Sequence, residues 1–271
     1  MHLTTRKATA GIVAALALVP AAAVAATIEG GPGNEHLRGT NAADQINGNG
    51  GNDRIFGRGG PDQLRGGPGN DRIFGGRGDD FISGDANGTG DRTSFDFLSG
   101  NAGNDEIHGG DSRDRIYGGS GNDTNYGENG NDKMAGGTGD DTQSGGPGND
   151  LIFANLGQDT TSGGDGNDRL WALARGDVHP GPNGETDTVG DTLDGGAGND
   201  SFHTRDGEVD RITCGDGVDI AVLDFVDVIT DATATAPNGS CEDVRRKGAK
   251  GAGESRSEDR QEAPKEEKAI R

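Results

Sequence analysis

Carboxylates recur every nine residues through most of this 271-residue sequence, and each belongs to a short glycine-rich unit. Each unit opens with two small residues and has Gly at position 4 and Asp at position 6, as in GGPGNDRIF (66–74) and GGPGNDLIF (145–153). Glycine tolerates positive φ and lets loop carbonyls turn toward one point, where aspartate adds a carboxylate on a short arm. Because Ca²⁺ prefers six to eight hard oxygen ligands in a flexible cage, the pattern predicts calcium binding.

The nine-residue spacing of the acidic position resumes after each of two interruptions. The predicted calcium ligands are the position-6 aspartates Asp44, Asp53, Asp62, Asp71, Asp80, Asp96, Asp105, Asp114, Asp123, Asp132, Asp141, Asp150, Asp159, Asp168, Asp191 and Asp200. Weaker copies of the unit follow at Asp210 and Asp219. The alternative is that Gly-Asn-Asp merely forms turns, but turns alone do not require aspartate at one fixed position.

These motifs resemble the calcium-binding nonapeptide repeats of the RTX (repeats-in-toxin, hemolysin-type) family, whose pattern is GGxGxDxUx with a large apolar residue at U. The resemblance extends over roughly residues 30–225. It implies an all-β fold, a parallel β-roll (β-solenoid) with two nonapeptide repeats per turn and calcium in the loops. Carboxylates of successive turns would then lie about 4.8 Å apart and repel one another until a cation lies between them.

Composition and charge agree with a repeat solenoid. Only 29% of the residues are hydrophobic and 53 are glycine, which is too little for a conventional core, although stacked repeats can bury a narrow one. The formal net charge of −21 argues against nucleic acid as a partner. It also means that bound cations are needed to offset self-repulsion in a compact state.

Alternate units should lie on opposite sheets, provided that the two interruptions loop out without changing the alternation. In the fold that the resemblance implies, the last three residues of each unit form a short strand, here called the strand triplet. Its middle residue should point inward and its neighbours outward. On one inner face Asn125, Gln143 and Thr161 replace the apolar residue, which predicts a polar ladder inside the roll. The opposite sheet should display basic residues beside a possible ligand stripe formed by Phe56, Phe74, Tyr117, Phe153 and Trp171.

Two roles for this aromatic stripe stay open. Phe or Tyr at position 9 favours strands and shields the sheet, and that alone would explain the pattern. An exposed apolar stripe can also bind another protein or a cell-surface glycan.

The N-terminus predicts export. Residues 1–7 are basic, residues 8–23 are apolar, and Ala23-Val24-Ala25 supplies small residues for cleavage, as is typical of a secretory signal peptide over residues 1–25. We therefore expect a secreted, extracellular protein without a membrane span in the mature chain. The apolar run is short for a span and contains Pro20.

The remaining segments divide as follows. We predict regular repeats over 26–203, with polar loop insertions at 84–94 and 172–190, and degenerate repeats over 204–244 that end in a cap formed by the apolar segment 220–229. Cys214 and Cys241 are the only cysteines and should pair in an exported protein, with free thiols or an intermolecular bridge as alternatives. The charged segment 245–271 is predicted to be a disordered tail.

No catalytic motif is recognisable in the sequence. It contains neither HExxH nor a G-x-S-x-G around any serine, and its five histidines are isolated. We therefore predict a non-enzymatic calcium-binding protein whose roll folds on binding calcium outside the cell. An adhesin or glycan-binding protein that uses the aromatic stripe is the alternative, and an enzyme with a site in the 172–190 loop is a third hypothesis.

Overall fold

The computed structural model describes residues 24–85, 94–172, 190–232, 236 and 239–247. These residues form two parallel sheets of 11 strands each and no helix. Almost all of the predicted signal peptide, the middle of both insertions and the predicted tail from residue 248 lie outside the described residues. No helix in the described part of the chain is long and apolar enough to cross a membrane.

Successive strands alternate between the two sheets, so each turn contributes one strand to each sheet. Sheet A contains β1 (Thr27–Glu29), β3 (Gln45–Asn47), β5 (Gln63–Arg65), β7 (Phe81–Ser83), β9 (Glu106–Asp111), β11 (Thr124–Asn129), β13 (Thr142–Pro147), β15 (Thr160–Asp165), β17 (Thr192–Ala197), β19 (Arg211–Thr213) and β21 (Val228–Ile229). Sheet B contains β2 (His36–Arg38), β4 (Arg54–Gly59), β6 (Arg72–Arg77), β8 (Phe97–Ala102), β10 (Arg115–Ser120), β12 (Lys133–Thr138), β14 (Leu151–Leu156), β16 (Arg169–Trp171), β18 (Ser201–Thr204), β20 (Ile220–Leu223) and β22 (Asp243–Arg246). This parallel β-solenoid is the predicted fold.

The register confirms the predicted alternation across both interruptions. Ile73 pairs with Leu98 across the first one, and Leu170 pairs with Phe202 across the second. Each insertion therefore interrupts the nine-residue spacing, but the units that follow it remain on the sheets that the alternation predicts. As a result, residues at equivalent positions of alternate units form straight rows along the solenoid.

The middle residue of each strand triplet points into the core, so each strand contributes one triplet side chain to it. A first cluster contains Ile46, Ile55, Leu64, Ile73, Ile82, Leu98, Ile107, Ile116, Met134 and Ile152. A second cluster begins at Leu170 and includes Leu193, Phe202 and Ile212. Each apolar residue is covered only by its own turn and the adjacent turns, so the stacking of turns is what removes it from water.

Three successive rungs of sheet A carry polar residues in this core. Asn125, Gln143 and Thr161 pair in register and are at most 1% exposed, which confirms the predicted polar ladder. Gln143 Nε2 donates to the carbonyl oxygen of Phe153 at 2.9 Å. The other polar side-chain atoms of the three residues have no hydrogen-bond partner among the described residues, so this part of the core is costly to bury.

The solenoid continues to the last described strand. Residues 220–229 were expected to cover the final turn as a cap, but their strands β20 and β21 pair as further rungs. Ala221, Leu223 and Ile229 are buried and continue the inward apolar period, which explains why this segment stacks instead of crossing the end.

The disulfide and the last strand lie at the same end. The predicted Cys214–Cys241 disulfide is present. Strand β22 then pairs with β20 and extends to Arg246, two residues into the segment predicted to be a tail.

Replacing Thr161 with valine should stabilise the folded protein by about 1 kcal/mol, because it removes a buried hydroxyl without a partner at nearly constant volume. Urea unfolding in saturating calcium measures this change. Thr160→Val, on the exposed side of the same strand, is the matched control and should change the stability by less than about 0.5 kcal/mol. A destabilised Thr161→Val protein would show instead that the hydroxyl is satisfied in solution.

Candidate metal centre

The sixteen predicted aspartates form two columns, each at the start of the strands of one sheet. The sheet A column contains Asp44, Asp62, Asp80, Asp105, Asp123, Asp141, Asp159 and Asp191, and the sheet B column contains Asp53, Asp71, Asp96, Asp114, Asp132, Asp150, Asp168 and Asp200. Every one of these side chains is at most 2% exposed. The repeat thus places two buried carboxylates in each turn of the solenoid.

One oxygen of each carboxylate is held by the backbone of the preceding turn. The N–H of Asp114 donates to Asp132 Oδ1 at 2.7 Å, and the N–H of Asp132 donates to Asp150 Oδ1 at 2.8 Å. The same contact recurs between aspartates along both columns at 2.7–2.9 Å. Aspartate at position 6 is therefore a structural acceptor that fixes the distance between turns.

The other oxygen, Oδ2, is buried without a hydrogen-bond partner among the described residues at most of these positions. This holds for Asp53, Asp62, Asp71, Asp80, Asp96, Asp105, Asp114, Asp123, Asp132, Asp141, Asp150, Asp168 and Asp200. At the first rung, by contrast, Asp44 Oδ2 accepts the N–H of Thr40 at 2.5 Å. An unsatisfied buried carboxylate oxygen is costly, so these atoms require either a proton or a cation.

Glycine at position 1 leaves room beside each Oδ2. A Cβ on Gly118 would lie 2.3 Å from Asp123 Oδ2 and 2.5 Å from the carbonyl oxygen of Gly136. A Cβ on Gly57 would meet Asp62 Oδ2 in the same way, at 2.2 Å. A side chain here would fill the space between a carboxylate oxygen and a carbonyl oxygen of the next turn, so only glycine keeps these two oxygens accessible to each other.

The donor set fits calcium better than a softer metal. The described residues contain no group of three or more His, Cys, Asp or Glu side chains that could hold a metal ion. Each column offers one carboxylate per turn, so a cation there would take its remaining ligands from backbone carbonyls. Calcium accepts such mixtures of carboxylate, carbonyl and water oxygens, whereas zinc favours Cys and His side chains.

Burial raises the pKa of many column carboxyls above their ordinary value of 3.8. Desolvation is the largest cause, and it raises the pKa of Asp62 to about 6, of Asp123 to about 8 and of Asp132 to about 9. The N–H of the preceding turn lowers the pKa in each case, while neighbouring column carboxylates raise it further. Ionising a column in the folded protein is therefore unfavourable without a cation.

The sequence did not identify the ends of the columns. Asp210 and Asp219 lie outside the predicted ligand set and 19 residues after Asp191 and Asp200. They extend the columns and also have a buried Oδ2 without a partner among the described residues. The last acceptors are Asp227, which accepts the N–H of Asp210 at 3.3 Å, and Glu242, which accepts the N–H of Asp219 at 2.7 Å. Their separations from the preceding column members, 17 and 23 residues, depart from the period and gave no signal.

The side chains at position 5 form a second row of hydrogen bonds between turns. Here the accepting side chain lies one turn before the donating N–H, whereas in the aspartate columns it lies one turn after. The N–H of Asn122 donates to Asn104 Oδ1 at 2.8 Å, and the N–H of Asn167 donates to Asn149 Oδ1 at 2.7 Å. In these units the position-5 asparagine therefore binds the following turn through its side chain, which satisfies a loop N–H. The recurrence of Asn before the aspartate was the signal for this role.

The aromatic stripe is more enclosed than expected. Phe56 and Phe74 stack with ring centroids 5.1 Å apart and planes 8° apart. Trp171 lies between Phe153 and His203, with centroids 6.0 and 3.9 Å away, and is only 8% exposed. Phe56, Phe74, Tyr117 and Phe153 are half-buried, because neighbouring rings cover part of one another's faces. This geometry supports shielding of the sheet, and ligand binding by the stripe stays a prediction.

The family model of the RTX calcium-binding nonapeptide repeat (four copies) matches residues 29–64, 56–87, 93–124, 126–143, 136–170 and 187–220. Together these segments span more than half of the chain, and every predicted ligand aspartate lies within one of them. No curated protein matches the chain.

In calcium-free buffer, the folded state should become more stable as the pH falls. The folded-state pKa values of about 6 to 9 exceed the value of 3.8 for the unfolded chain, so the folded state binds more protons. This stabilisation is complete below pH 3.8 and is lost as the pH rises through about 6 to 9. Circular dichroism between these limits should show a β-sheet signal that declines with increasing pH.

In calcium-free buffer, Asp132→Asn should move the loss of the β-sheet signal to higher pH, because asparagine retains an Oδ1 acceptor but cannot ionise. Asp140→Asn alters an exposed position-5 residue whose Oδ1 accepts a backbone N–H, a role that asparagine also fills, and serves as the control. A calcium-free β-sheet signal that grows with increasing pH would contradict the argument.

Proposed function

The chain belongs to the family of RTX calcium-binding nonapeptide-repeat proteins, and on that premise we propose that it is a secreted protein whose β-roll folds as calcium binds along its two carboxylate columns. The observation that carries this proposal is the row of buried Oδ2 atoms without a partner among the described residues. The sixteen predicted aspartates, together with Asp210 and Asp219, would hold calcium with carbonyl oxygens of the glycine-rich loops. Bound calcium would supply the positive charge that the columns lack.

Folding and calcium binding are coupled in this proposal. The calcium-free roll must either protonate its columns or bury unpaired charge, and the unfolded chain avoids both costs by exposing its carboxylates to water. Binding free energy therefore contributes directly to folding. Extracellular calcium modules bind in the range of roughly 10⁻⁴–10⁻³ M, so the chain would remain unfolded at cytosolic calcium levels and fold after export.

Two observations support an extracellular location. Strand β1 begins at Thr27, directly after the proposed signal peptide of residues 1–25. The Cys214–Cys241 disulfide joins residues of the last turns, and such bonds persist mainly in oxidising compartments. We propose that the regular repeats (26–203) and the degenerate repeats (204–244) form one calcium-dependent unit, with residues from 248 on as a charged tail.

The role that follows is structural and non-catalytic. Within the described residues the same nine-residue unit builds turn after turn, and the sequence contains no recognisable catalytic motif. Partner binding is a second candidate function. It is favoured by the basic side chains on the outer face of sheet B, and not by the enclosed aromatic rings.

Calcium titration at neutral pH should convert a disordered circular dichroism spectrum into a β-sheet spectrum, and a chelator should reverse the change. Asp132→Asn should raise the calcium midpoint severalfold, because the variant loses one anionic ligand from the middle of a column. The exposed variant Asp140→Asn should leave the midpoint unchanged. A β-sheet spectrum at neutral pH that is indifferent to chelator would overturn the proposal.

A further inference from the structure

The outer face of sheet B is basic, although the whole protein carries a net charge of −21. Between β2 and β16, the outward residues of the strand triplets include no Asp or Glu. They include six cationic side chains, at Arg38, Arg54, Arg72, Arg115, Lys133 and Arg169. In the sheet register Arg54, Arg72, Arg115, Lys133 and Arg169 share one row, which Phe97 and Leu151 interrupt, whereas Arg38 pairs with Phe56. The column carboxylates are buried, and this basic row lies on the outer face of sheet B.

Part of this basic row lacks an internal counter-charge. Arg54, Arg72 and Arg169 are exposed, and none of these three forms an ion pair within the described residues. Arg54 and Arg72 are direct partners in the sheet register, so two like charges lie side by side at the strand spacing of about 4.8 Å. Like charges placed opposite each other destabilise a sheet, and an external anion would relieve this repulsion.

The aromatic rings restrict which anion fits. The Phe56 and Phe74 rings face each other, and Trp171 is enclosed by Phe153 and His203. Single-stranded nucleic acids depend on stacking their bases on open aromatic faces, and these faces are occupied. The recognition chemistry that remains is ionic, with guanidinium groups suited to bidentate contacts with carboxylate or sulfate.

We propose that the outer face of sheet B binds a linear acidic polysaccharide through the row that contains Arg54, Arg72 and Arg169. An extended chain with a repeating anionic group can contact cations spaced along a row from Arg54 to Arg169, including across the apolar rungs of Phe97 and Leu151, whereas a folded acidic protein would reach only a part of the row. The net negative charge of the protein opposes this contact only over a short range, because the Debye length is about 8 Å at physiological ionic strength.

This inference rests on the proposed function in one respect, since the basic row exists only when the roll is folded. Folding and ligand binding are therefore measured separately. Circular dichroism establishes calcium-dependent folding of each variant, and isothermal titration in the same calcium buffer measures binding to hyaluronan, which carries carboxylates, and to dextran sulfate, which carries sulfates. Neutral dextran and poly-glutamate are the comparison polymers.

The test variant is Arg54→Gln/Arg72→Gln/Arg169→Gln. The control, Arg65→Gln/Arg77→Gln/Arg211→Gln, removes the same total charge from exposed arginines outside the row. The native protein should bind hyaluronan, dextran sulfate or both, more weakly at higher salt and without binding dextran. The test variant should bind about tenfold more weakly while it folds normally in calcium, and the control should bind as the native protein does.

Three results would overturn the proposal. Equal binding by the test and control variants would place the contact elsewhere, for example at bound calcium. Tighter binding of poly-glutamate than of either polysaccharide would identify an acidic peptide as the ligand. No binding of either polysaccharide by a protein that folds in calcium would refute the polysaccharide site and leave the calcium-dependent fold intact.

Discussion

Stacked, buried carboxylates are the constraint on which the rest of this solenoid depends. In each column, Oδ1 accepts the N–H of the equivalent aspartate one turn earlier, as between Asp114 and Asp132. Without that acceptor, a buried backbone donor would lose its partner in every turn. The aspartates are thus required for the fold and at the same time oppose it, because the adjacent Oδ2 atoms are desolvated and lie near other carboxylates. A cation bound along the column would offset both the desolvation of Oδ2 and the repulsion between neighbouring carboxylates, without disturbing the Oδ1 contact.

The apolar core is too narrow to offset this cost alone. Each nine-residue unit buries one large apolar side chain, while nine residues lose conformational freedom. At Asn125, Gln143 and Thr161 even that contribution is absent, and unsatisfied polar atoms take its place. The folded state must therefore draw on another source of free energy, and the polar rungs make the middle of the solenoid the part that depends most on it.

The nine-residue period and the fold implied by the resemblance to RTX repeats together predicted the strand triplets, their assignment to two sheets, the inward residues and both columns of aspartates. These features follow from local chemistry repeated in register, so one unit predicts the next. The features that were missed depend on contacts outside the period. Glu242 ends a column 23 residues after Asp219. Trp171 is covered by His203, its register partner on the next strand of sheet B, although the two residues are separated by the second insertion. Likewise, the apolar composition of residues 220–229 suggested a cap, whereas their inward spacing determined another turn.

The outer face of sheet B is positively charged, although the net charge of the whole protein is negative. The column aspartates are almost completely buried, whereas Arg54 and Arg72 point outward from sheet B. Cation binding and partner binding would therefore use different atoms on different sides of the same strands. Asp53 and Arg54 are adjacent in sequence, yet their side chains point to opposite sides of the strand start, one into a column and the other to solvent. Because strand geometry alternates side chains in this way, a single nine-residue unit can carry a structural metal ligand and a surface contact without compromising either.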